Sequence, residues 1–189
     1  MRVIGTVGLP GSGKSEAASV AEDLGVPVVT MGDVIRRECR DRGLDPAEHH
    51  GEIASALREE NGPDAIAQRS LPVIEEALED SDTVLVDGIR AGVEVERFEE
   101  AFGGAFVLVS IEAPFDLRAE RVSERGRDNT DDGESLHERD ERERGFGMDD
   151  AIARADVSIR NTSSLESFHE EIRALLTEGV EALEPTETP

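Results

Sequence analysis

Short apolar runs alternate with amphipathic segments along most of this chain. The runs are rich in Val, Ile and Leu and predict five buried strands, at 2–7, 26–30, 83–88, 105–111 and 156–160. Between them, apolar residues recur every three or four positions, which predicts helices. Strands that alternate with helices form a parallel sheet covered on both faces, so the pattern predicts an α/β fold of three layers.

Two segments depart from this pattern. Residues 126–147 are very polar and contain one Leu and one Phe, and residues 181–189 are rich in Glu and Thr. The 189 residues are enough for one sizeable α/β domain, which we place at 1–180. The remaining residues, 181–189, are expected to form a flexible tail.

A glycine-rich loop follows the first predicted strand. Its pattern is G-x-x-x-x-G-K-S, formed by Gly8, Leu9, Pro10, Gly11, Ser12, Gly13, Lys14 and Ser15. A strand before this octet and a helix after it are the context in which it forms a phosphate-binding P-loop. Its glycines let backbone N–H groups approach phosphates closely, and the helix N-terminus adds about half a positive charge.

Two side chains of this loop carry chemistry of their own. Lys14 is the only lysine among the chain's 20 lysine and arginine residues. Its compact ammonium can follow the β- and γ-phosphates of a nucleotide, which a planar guanidinium cannot do equivalently. Ser15 is expected to give its hydroxyl to Mg²⁺. The loop therefore predicts that ATP and Mg²⁺ are bound.

Residues that follow the other strands are the next candidates, because parallel sheets bind ligands beyond the carboxyl ends of their strands. Asp87 ends the third strand, where it either holds Mg²⁺ or caps the next turn. Arg36 and Arg90 are placed to clamp an anionic acceptor. Asp33 fits two roles, a helix N-terminal acid stabilised by the dipole or a general base for an acceptor hydroxyl.

Arginines gather in and before the polar segment at 126–147. They are Arg121, Arg125, Arg127, Arg139, Arg142 and Arg144. One interpretation is a lid over about 126–147 whose arginines fold over the nucleotide, exclude water and neutralise charge on the transferring phosphoryl group. The other is a solvated helix at 138–144 laced with ion pairs between residues three or four positions apart.

The charge balance restricts the partners. The chain has 44 acidic and 20 basic residues, a net charge of −24 at pH 7, and neither Tyr nor Trp. Such a surface repels nucleic acid and anionic membranes and offers few rings on which bases stack. No signal peptide is visible, and no apolar run approaches the roughly 20 residues that span a bilayer. We therefore expect a cytoplasmic protein that acts on a small molecule, and the oligomeric state stays open.

These motifs resemble the nucleoside monophosphate kinase branch of P-loop proteins. Residues 30–36, TMGDVIR, are similar to the T-G-D-x-x-R segment that holds AMP in adenylate kinase, and 87–90, DGIR, resemble its D-G-F-P-R segment with one residue missing. Arg121 and Arg125 resemble the pair that opens the adenylate kinase lid, the first of which packs on adenine. Arg139 and Arg142 resemble later lid arginines. The resemblance implies that the acceptor is bound by Thr30, Gly32, Arg36, Asp87, Gly88 and Arg90.

The chain also resembles dephospho-CoA kinase. There an Asp after the second strand acts on the acceptor hydroxyl, at the position of Asp33, and a late A-D-x-x-I-x-N segment matches residues 155–161. Over nearly its full length the chain is similar to an archaeal family of kinase-like P-loop proteins related to both enzymes. This resemblance implies an adenylate-kinase-like P-loop NTPase fold with five parallel strands and a short helical lid.

Residues and resemblance together predict a Mg²⁺- and ATP-dependent phosphotransferase that acts on a small anionic metabolite. The acceptor that they favour is a nucleoside monophosphate. The acceptor would bind in a helical region at about 31–80. The predicted catalytic groups are Lys14, Asp33, Arg121, Arg125 and Arg139. Two alternatives stay open, transfer to a hydroxyl and a regulatory ATPase switch. A guanine-nucleotide switch is excluded, since its N-K-x-D motif needs a second lysine.

The acid excess and the near-absence of lysine are typical of adaptation to a saline cytoplasm. At about 1 M salt the screening length is only 3 Å, which removes most of the repulsion between surface carboxylates. We therefore expect the melting temperature, followed by circular dichroism, to fall when KCl is lowered from molar to dilute concentration. A melting temperature that does not depend on KCl would refute this interpretation.

Overall fold

Five strands form the centre of the molecule, and the computed structural model describes residues 1–124 and 135–183. The strands are β1 (Arg2–Val7), β2 (Val28–Thr30), β3 (Thr83–Asp87), β4 (Phe106–Glu112) and β5 (Val157–Arg160). Neighbouring strands all run in parallel, in the order β2-β3-β1-β4-β5. The five-stranded parallel sheet predicted from the sequence is therefore confirmed.

Helices connect and flank these strands. Within the described ranges they are α1 (Lys14–Asp23), α2 (Met31–Asp41), α3 (Pro46–Asn61), α4 (Ala65–Asp80), α5 (Gly92–Phe102), α6 (Phe115–Glu124), α7 (Leu136–Gly145), α8 (Met148–Ala153) and α9 (Leu165–Thr177). Helices α2, α3 and α4 occupy the region at 31–80 in which the sequence predicts acceptor binding. Helix α7 occupies the second half of the predicted lid.

Alternation along the central strands sends side chains into two separate cores. In β1, Val3 and Val7 join the core formed with α2, α3, α4, α5 and α8, whereas Ile4 packs with α1 and α9. In β3, Val84 and Leu85 divide in the same way. Because successive side chains of a strand point to opposite faces, helices cover both sides of one sheet. The predicted three-layer α/β fold is therefore confirmed.

The second strand is shorter than the apolar run that predicted it. The run begins at residue 26, but β2 spans only Val28–Thr30. Pro27 has no N–H to donate to the ladder, although its carbonyl still accepts a hydrogen bond from the Leu85 N–H at 2.9 Å. Because β2 lies at the edge of the sheet, a proline at its start leaves no partner unsatisfied on the open side.

A buried ion pair joins α6 to α7. The Arg118 guanidinium donates to both carboxylate oxygens of Asp140, at 2.8 and 2.7 Å, and each side chain is only 4% exposed. Arg118 also donates to the carbonyl of Pro10 at 2.9 Å and to the carbonyl of Ala113 at 3.1 Å. The second half of the predicted lid is thus anchored to the P-loop itself. Arg125, Arg127 and the end of the predicted tail, 184–189, lie outside the described residues.

We expect Asp140→Asn to lower the free energy of unfolding by about 3 kcal/mol, because it leaves a buried guanidinium without its counter-charge. Replacing both partners with apolar residues, Arg118→Met with Asp140→Leu, should recover only part of that loss, because the carbonyls of Pro10 and Ala113 then lose their donor. Denaturant unfolding in molar KCl measures both effects.

A matched control for this experiment is Arg154→Met. Arg154 pairs with Glu96 at 2.7 Å, but the two side chains are 35% and 50% exposed. Exposed pairs contribute about 0–1 kcal/mol, so this variant should stay within that range. Equal losses in Asp140→Asn and Arg154→Met would show that burial does not distinguish the two pairs.

Candidate active site

A cleft of about 600 Å³ opens at the carboxyl ends of the strands. Four predicted regions contribute to it: the P-loop, the segment after β2, the segment after β3, and α7. The predicted site residues that line it are Gly8, Pro10, Gly11, Gly13, Lys14, Ser15, Thr30, Gly32, Arg36, Asp87, Gly88, Arg90, Arg121 and Arg139. The structure therefore brings nearly all of the described candidates together in one place.

The P-loop is held closely from behind. A Cβ on Gly8 would lie 2.3 Å from the carbonyl oxygen of Ile111, and one on Gly13 would lie 2.4 Å from the Asn161 side-chain nitrogen. Gly13 also has a φ of 122°, which side chains rarely adopt. Leu9 packs against the core and the Ser12 side chain is buried, so these two loop residues do not line the cleft. The loop can approach a phosphate only because glycine occupies these positions.

Asn161 is a residue of this site that the sequence analysis marked only as part of a resemblance. Its side-chain N–H donates to the carbonyl of Ser12 at 2.8 Å, and it is 3% exposed. Arg121 in turn donates to the backbone and side-chain oxygens of Asn161, at 3.0 and 3.1 Å. Asn161 therefore connects the P-loop to the arginine that is predicted to pack on adenine.

Lys14 points back over the loop that precedes it. Its ammonium donates to the carbonyl oxygens of Gly8 and Leu9, the second at 3.3 Å. Burial lowers the pKa of Lys14, whereas the nearby carboxylates of Asp87 and Glu143 act in the opposite direction. A cation held in this way has carbonyl partners that an incoming phosphate can replace.

Asp87 lies at the meeting point of three strands. It pairs in register with Thr6 of β1 and with Thr30 of β2, and the Thr6 hydroxyl donates to its carboxylate at 3.2 Å. Ser15, at the start of α1, lines the same cleft. A hydroxyl and a carboxylate are the hard oxygen donors that Mg²⁺ prefers, so the residues present fit this ion.

The segment after β2 separates its two predicted polar residues. Arg36 lines the cleft, whereas Asp33 does not and its side chain is 68% exposed. The two side chains form an ion pair on the first turn of α2. The structure therefore places the predicted general base outside the cleft and the predicted anion-binding arginine on its wall.

Sequence reasoning missed five polar residues of the cleft: His50, Ser55, Arg58, Glu94 and Glu143. His50 and Arg58 are eight positions apart on α3, with Ala54 between them, so they share a helix face. The shared face is readable from the spacing, but the sequence does not show that it turns toward the cleft and not to solvent. His49, the neighbour of His50, points elsewhere and pairs with Glu52 at 2.9 Å.

Glu143 places a carboxylate among the cations of the cleft. Its side chain is 7% exposed and lies 3.2 Å from Arg90 and 3.7 Å from Arg142. It comes from α7, so it links the predicted lid to the predicted acceptor arginine. Neither contact could be predicted from the sequence. Glu143 and Arg90 are more than fifty positions apart, and the contact between Glu143 and Arg142 depends on how α7 is rotated about its axis.

Comparison with known proteins identifies the family. The model of a family described as an AAA domain matches residues 7–137. A UPF0200 protein of Halobacterium salinarum is 64% identical over 176 residues, which are 93% of each chain. A UPF0200 protein of Methanosarcina mazei is 45% identical and covers 96% of this chain and 97% of its own. The chain belongs to the UPF0200 family. The predicted membership of an archaeal family of kinase-like P-loop proteins is thereby confirmed.

Solved structures agree on the fold of this UPF0200 protein. The structure of TT1252 from Thermus thermophilus has a TM-score of 0.62 and 23% identity, covering 94% of this chain and 97% of its own. A shikimate kinase from Acinetobacter baumannii in complex with shikimate has a TM-score of 0.58 at 18% identity and covers 95% of each chain. A gluconokinase from Sinorhizobium meliloti reaches 0.57 at 19% identity, covering 95% of this chain and 94% of its own. At such identities the likeness establishes the P-loop kinase fold and nothing finer.

Among the helices that the structure describes in this UPF0200 protein, none combines the length and the apolar character that crossing a membrane requires.

The single lysine makes the electrostatics of the P-loop directly measurable. Labelling with [¹³Cε]lysine gives one resonance, that of Lys14, whose titration yields its pKa. We expect a value below the ordinary one of about 10.4, because burial disfavours the ammonium. Asp87→Asn should lower the pKa of Lys14 further, since it removes the carboxylate that does most to stabilise the cation.

The control for this titration is Asp82→Asn. Asp82 is exposed and lies just before β3, at the end of the sheet away from the cleft. This variant should leave the pKa of Lys14 unchanged. An ordinary pKa in the wild type, or the same pKa in Asp87→Asn as in the wild type, would contradict the arrangement described here.

Proposed function

We propose that this UPF0200 protein transfers the γ-phosphoryl group of ATP, with Mg²⁺, to a small anionic metabolite. The acceptor that fits the cleft best is a nucleoside monophosphate. The observation that carries this proposal is the composition of the cleft. One side is the P-loop with Lys14, and the other bears Arg36, Arg58 and Arg90. In a chain of net charge −24, three arginines on one wall favour an anionic ligand opposite the phosphate loop.

The residues of the nucleotide side divide the work of binding ATP. Lys14 and the loop N–H groups would hold the β- and γ-phosphates, and Ser15 and Asp87 would hold Mg²⁺, which when bound neutralises charge on those phosphates. Arg121 would lie against the adenine. Arg139 and Arg142 would approach the transferring group from the lid, and the catalytic role of Arg125, which lies outside the described residues, stays a prediction. Catalysis then consists of positioning and charge stabilisation, with little covalent work for the protein.

The position of Asp33 supports a monophosphate as the acceptor. A phosphate has a second pKa of about 6 and is mostly ionised near neutrality, so it attacks without a general base. A hydroxyl acceptor gains from such a base. Since Asp33 lies outside the cleft and pairs with Arg36, the cleft favours an acceptor that needs anion binding more than proton removal.

An acceptor screen in molar KCl tests the proposal. AMP, CMP, GMP, UMP, dephospho-CoA, shikimate and gluconate are each added to Mg²⁺ and ATP, and ADP formation is followed. We expect ADP formation to depend on one or more nucleoside monophosphates. Lys14→Ala should lower the rate by about 100-fold or more, because it removes a cation placed where charge develops. Lys14→Arg should also be impaired, since a guanidinium does not replace the ammonium equivalently.

One control and one further variant sharpen this test, and two results would redirect the proposal. Arg154→Ala, at an exposed ion pair outside the cleft, is the control and should leave the rate unchanged. Asp33→Asn should change the rate by less than about threefold, whereas a general base is worth roughly 100-fold or more. Dependence on a hydroxyl acceptor together with a severe Asp33→Asn effect would favour the alternative kinase reaction. ADP formation that no acceptor stimulates would favour an ATPase.

A further inference from the structure

Glu94 is a buried carboxylate that contacts two arginine-bearing segments of the cleft. It lies in the first turn of α5, lines the cleft, and has a side chain that is 2% exposed. One carboxylate oxygen accepts the backbone N–H of Arg90 at 2.8 Å. The other lies 3.8 Å from a guanidinium nitrogen of Arg58. A single side chain therefore touches α3 and the turn after β3.

The contact with Arg90 accounts for a departure from the resemblance. Residues 87–90 are one residue shorter than the D-G-F-P-R segment of adenylate kinase. In the structure Arg90 nevertheless lines the cleft, and its backbone N–H is fixed by Glu94 four positions later. A buried carboxylate needs such donors, since removing it from water without them is costly. Glu94 thus holds the shortened turn in the position that directs Arg90 into the cleft.

Arg58 is held in place on two sides but keeps hydrogen-bond donors available. Its side chain is 27% exposed. Glu94 lies on one side of it, and on another the guanidinium carbon lies over the Phe146 ring, 5.6 Å from the ring centroid. The separation of 3.8 Å from Glu94 is an ion pair rather than a hydrogen bond. A guanidinium carries five N–H donors, and this geometry leaves them for a ligand in the cleft.

The surroundings of His50 show that the arginines converge. Burial lowers the pKa of His50, and Arg36, Arg90 and Arg58 each act in the same direction. A Cβ on Gly32 would lie 3.5 Å from the Arg36 guanidinium and 3.7 Å from His50 Nε2, so these two side chains lie close to the same point, and Glu94 joins Arg58 to Arg90. Each of them also lines the cleft. A dianionic group is a ligand that suits three cations lining one cleft.

We infer that Arg58 is a third acceptor-binding arginine and that Glu94 is the positioning residue that holds Arg58 and Arg90 toward one phosphomonoester. This inference rests on the proposed function, and it specifies the acceptor by its chemistry as a molecule with a terminal phosphate. Arg58 would contact that phosphate directly. Glu94 would act through the two arginines and would not touch the ligand.

Binding of AMP to the full chain tests this inference without turnover. Calorimetry in molar KCl is carried out with Mg²⁺ and a non-hydrolysable ATP analogue present, so that AMP meets only the acceptor side. Arg58→Ala should raise the Kd of AMP on the order of 10- to 100-fold, the range for losing a hydrogen bond to a charged group. The Kd of the ATP analogue, measured separately, should stay within about twofold. Arg58→Lys should recover only part of the loss, since an ammonium lacks the planar fork.

Variants of Glu94 separate positioning from direct contact. Glu94→Gln keeps an oxygen for the Arg90 N–H and should raise the Kd of AMP only a few fold. Glu94→Ala removes both contacts and should approach the effect of Arg58→Ala. The double variant Arg58→Ala with Glu94→Ala should lose less than the product of the single losses, because both act on one guanidinium. Melting temperatures identify any variant that fails to fold.

The control is Arg69→Ala, an arginine of α4 that pairs with Glu38 at 2.7 Å and does not line the cleft. It should leave the Kd of AMP unchanged. A folded Arg58→Ala protein that binds AMP as tightly as the wild type overturns the inference, even if kinase activity is present. Wild-type protein that binds the ATP analogue but neither AMP, the other monophosphates nor inorganic phosphate also overturns it. Phosphate binding that depends on Arg58 without any transfer would sustain the inference while refuting the kinase proposal.

Discussion

The site depends on hydrogen bonds that side chains donate to the carbonyl groups of the P-loop. Arg118 donates to the carbonyl of Pro10, and Asn161 donates to the carbonyl of Ser12. In a trans peptide the C=O and the following N–H point in opposite directions, and no cis bond occurs in the described part of the chain. The N–H groups of Gly11 and Gly13 are therefore turned away from these donors. The loop holds its phosphate-binding amides outward because its carbonyls are satisfied from behind.

The same contacts extend from the loop to the other side of the cleft. Arg118 continues to Asp140 on α7, and α7 carries Glu143 to Arg90. From Arg90 the backbone contact to Glu94 completes the connection to the acceptor wall. Each of these contacts is an ion pair or a hydrogen bond to a charged group. The side chains of Arg118, Asp140, Glu143 and Glu94, which make them, are buried. Contacts between buried charged groups are stronger than exposed contacts, because little water competes for the hydrogen-bonding atoms.

Local sequence patterns predicted the features of the fold and the site that depend on residues close together in the chain. The five strands, the P-loop and Asp87 at a strand end follow from apolar runs and a short motif, and the structure has all of them. The shortening of β2 was also readable in principle, since Pro27 cannot donate to a ladder. Asp33 shows the limit of a motif, because residue spacing places it on a helix turn but does not tell which way it faces.

The missed residues belong to tertiary structure. Asn161 reaches the P-loop because β5 pairs with β4, and the carbonyl of Glu112 accepts its backbone N–H at 2.8 Å. Arg58 and Glu94 meet because α3 and α5 pack on the same face of the sheet. Their sequence separation of 36 positions gives no local signal for such a meeting. Polar residues on a helix are ordinarily assigned to the solvent-exposed face. The sequence alone therefore places His50 and Arg58 on the surface and gives no sign that they line a cleft.

Exposed and buried ion pairs have different roles in this acidic protein. Arg36 is paired with Asp33, but these side chains are 44% and 68% exposed. Exposed pairs are worth about 0–1 kcal/mol and molar salt weakens them further, so a dianionic ligand can take Arg36 at little cost. Arg118 and Asp140 are each 4% exposed, which shields their attraction from salt. High salt therefore weakens the exposed pair of Arg36 and Asp33, while the buried pair continues to hold the P-loop and α7 in place.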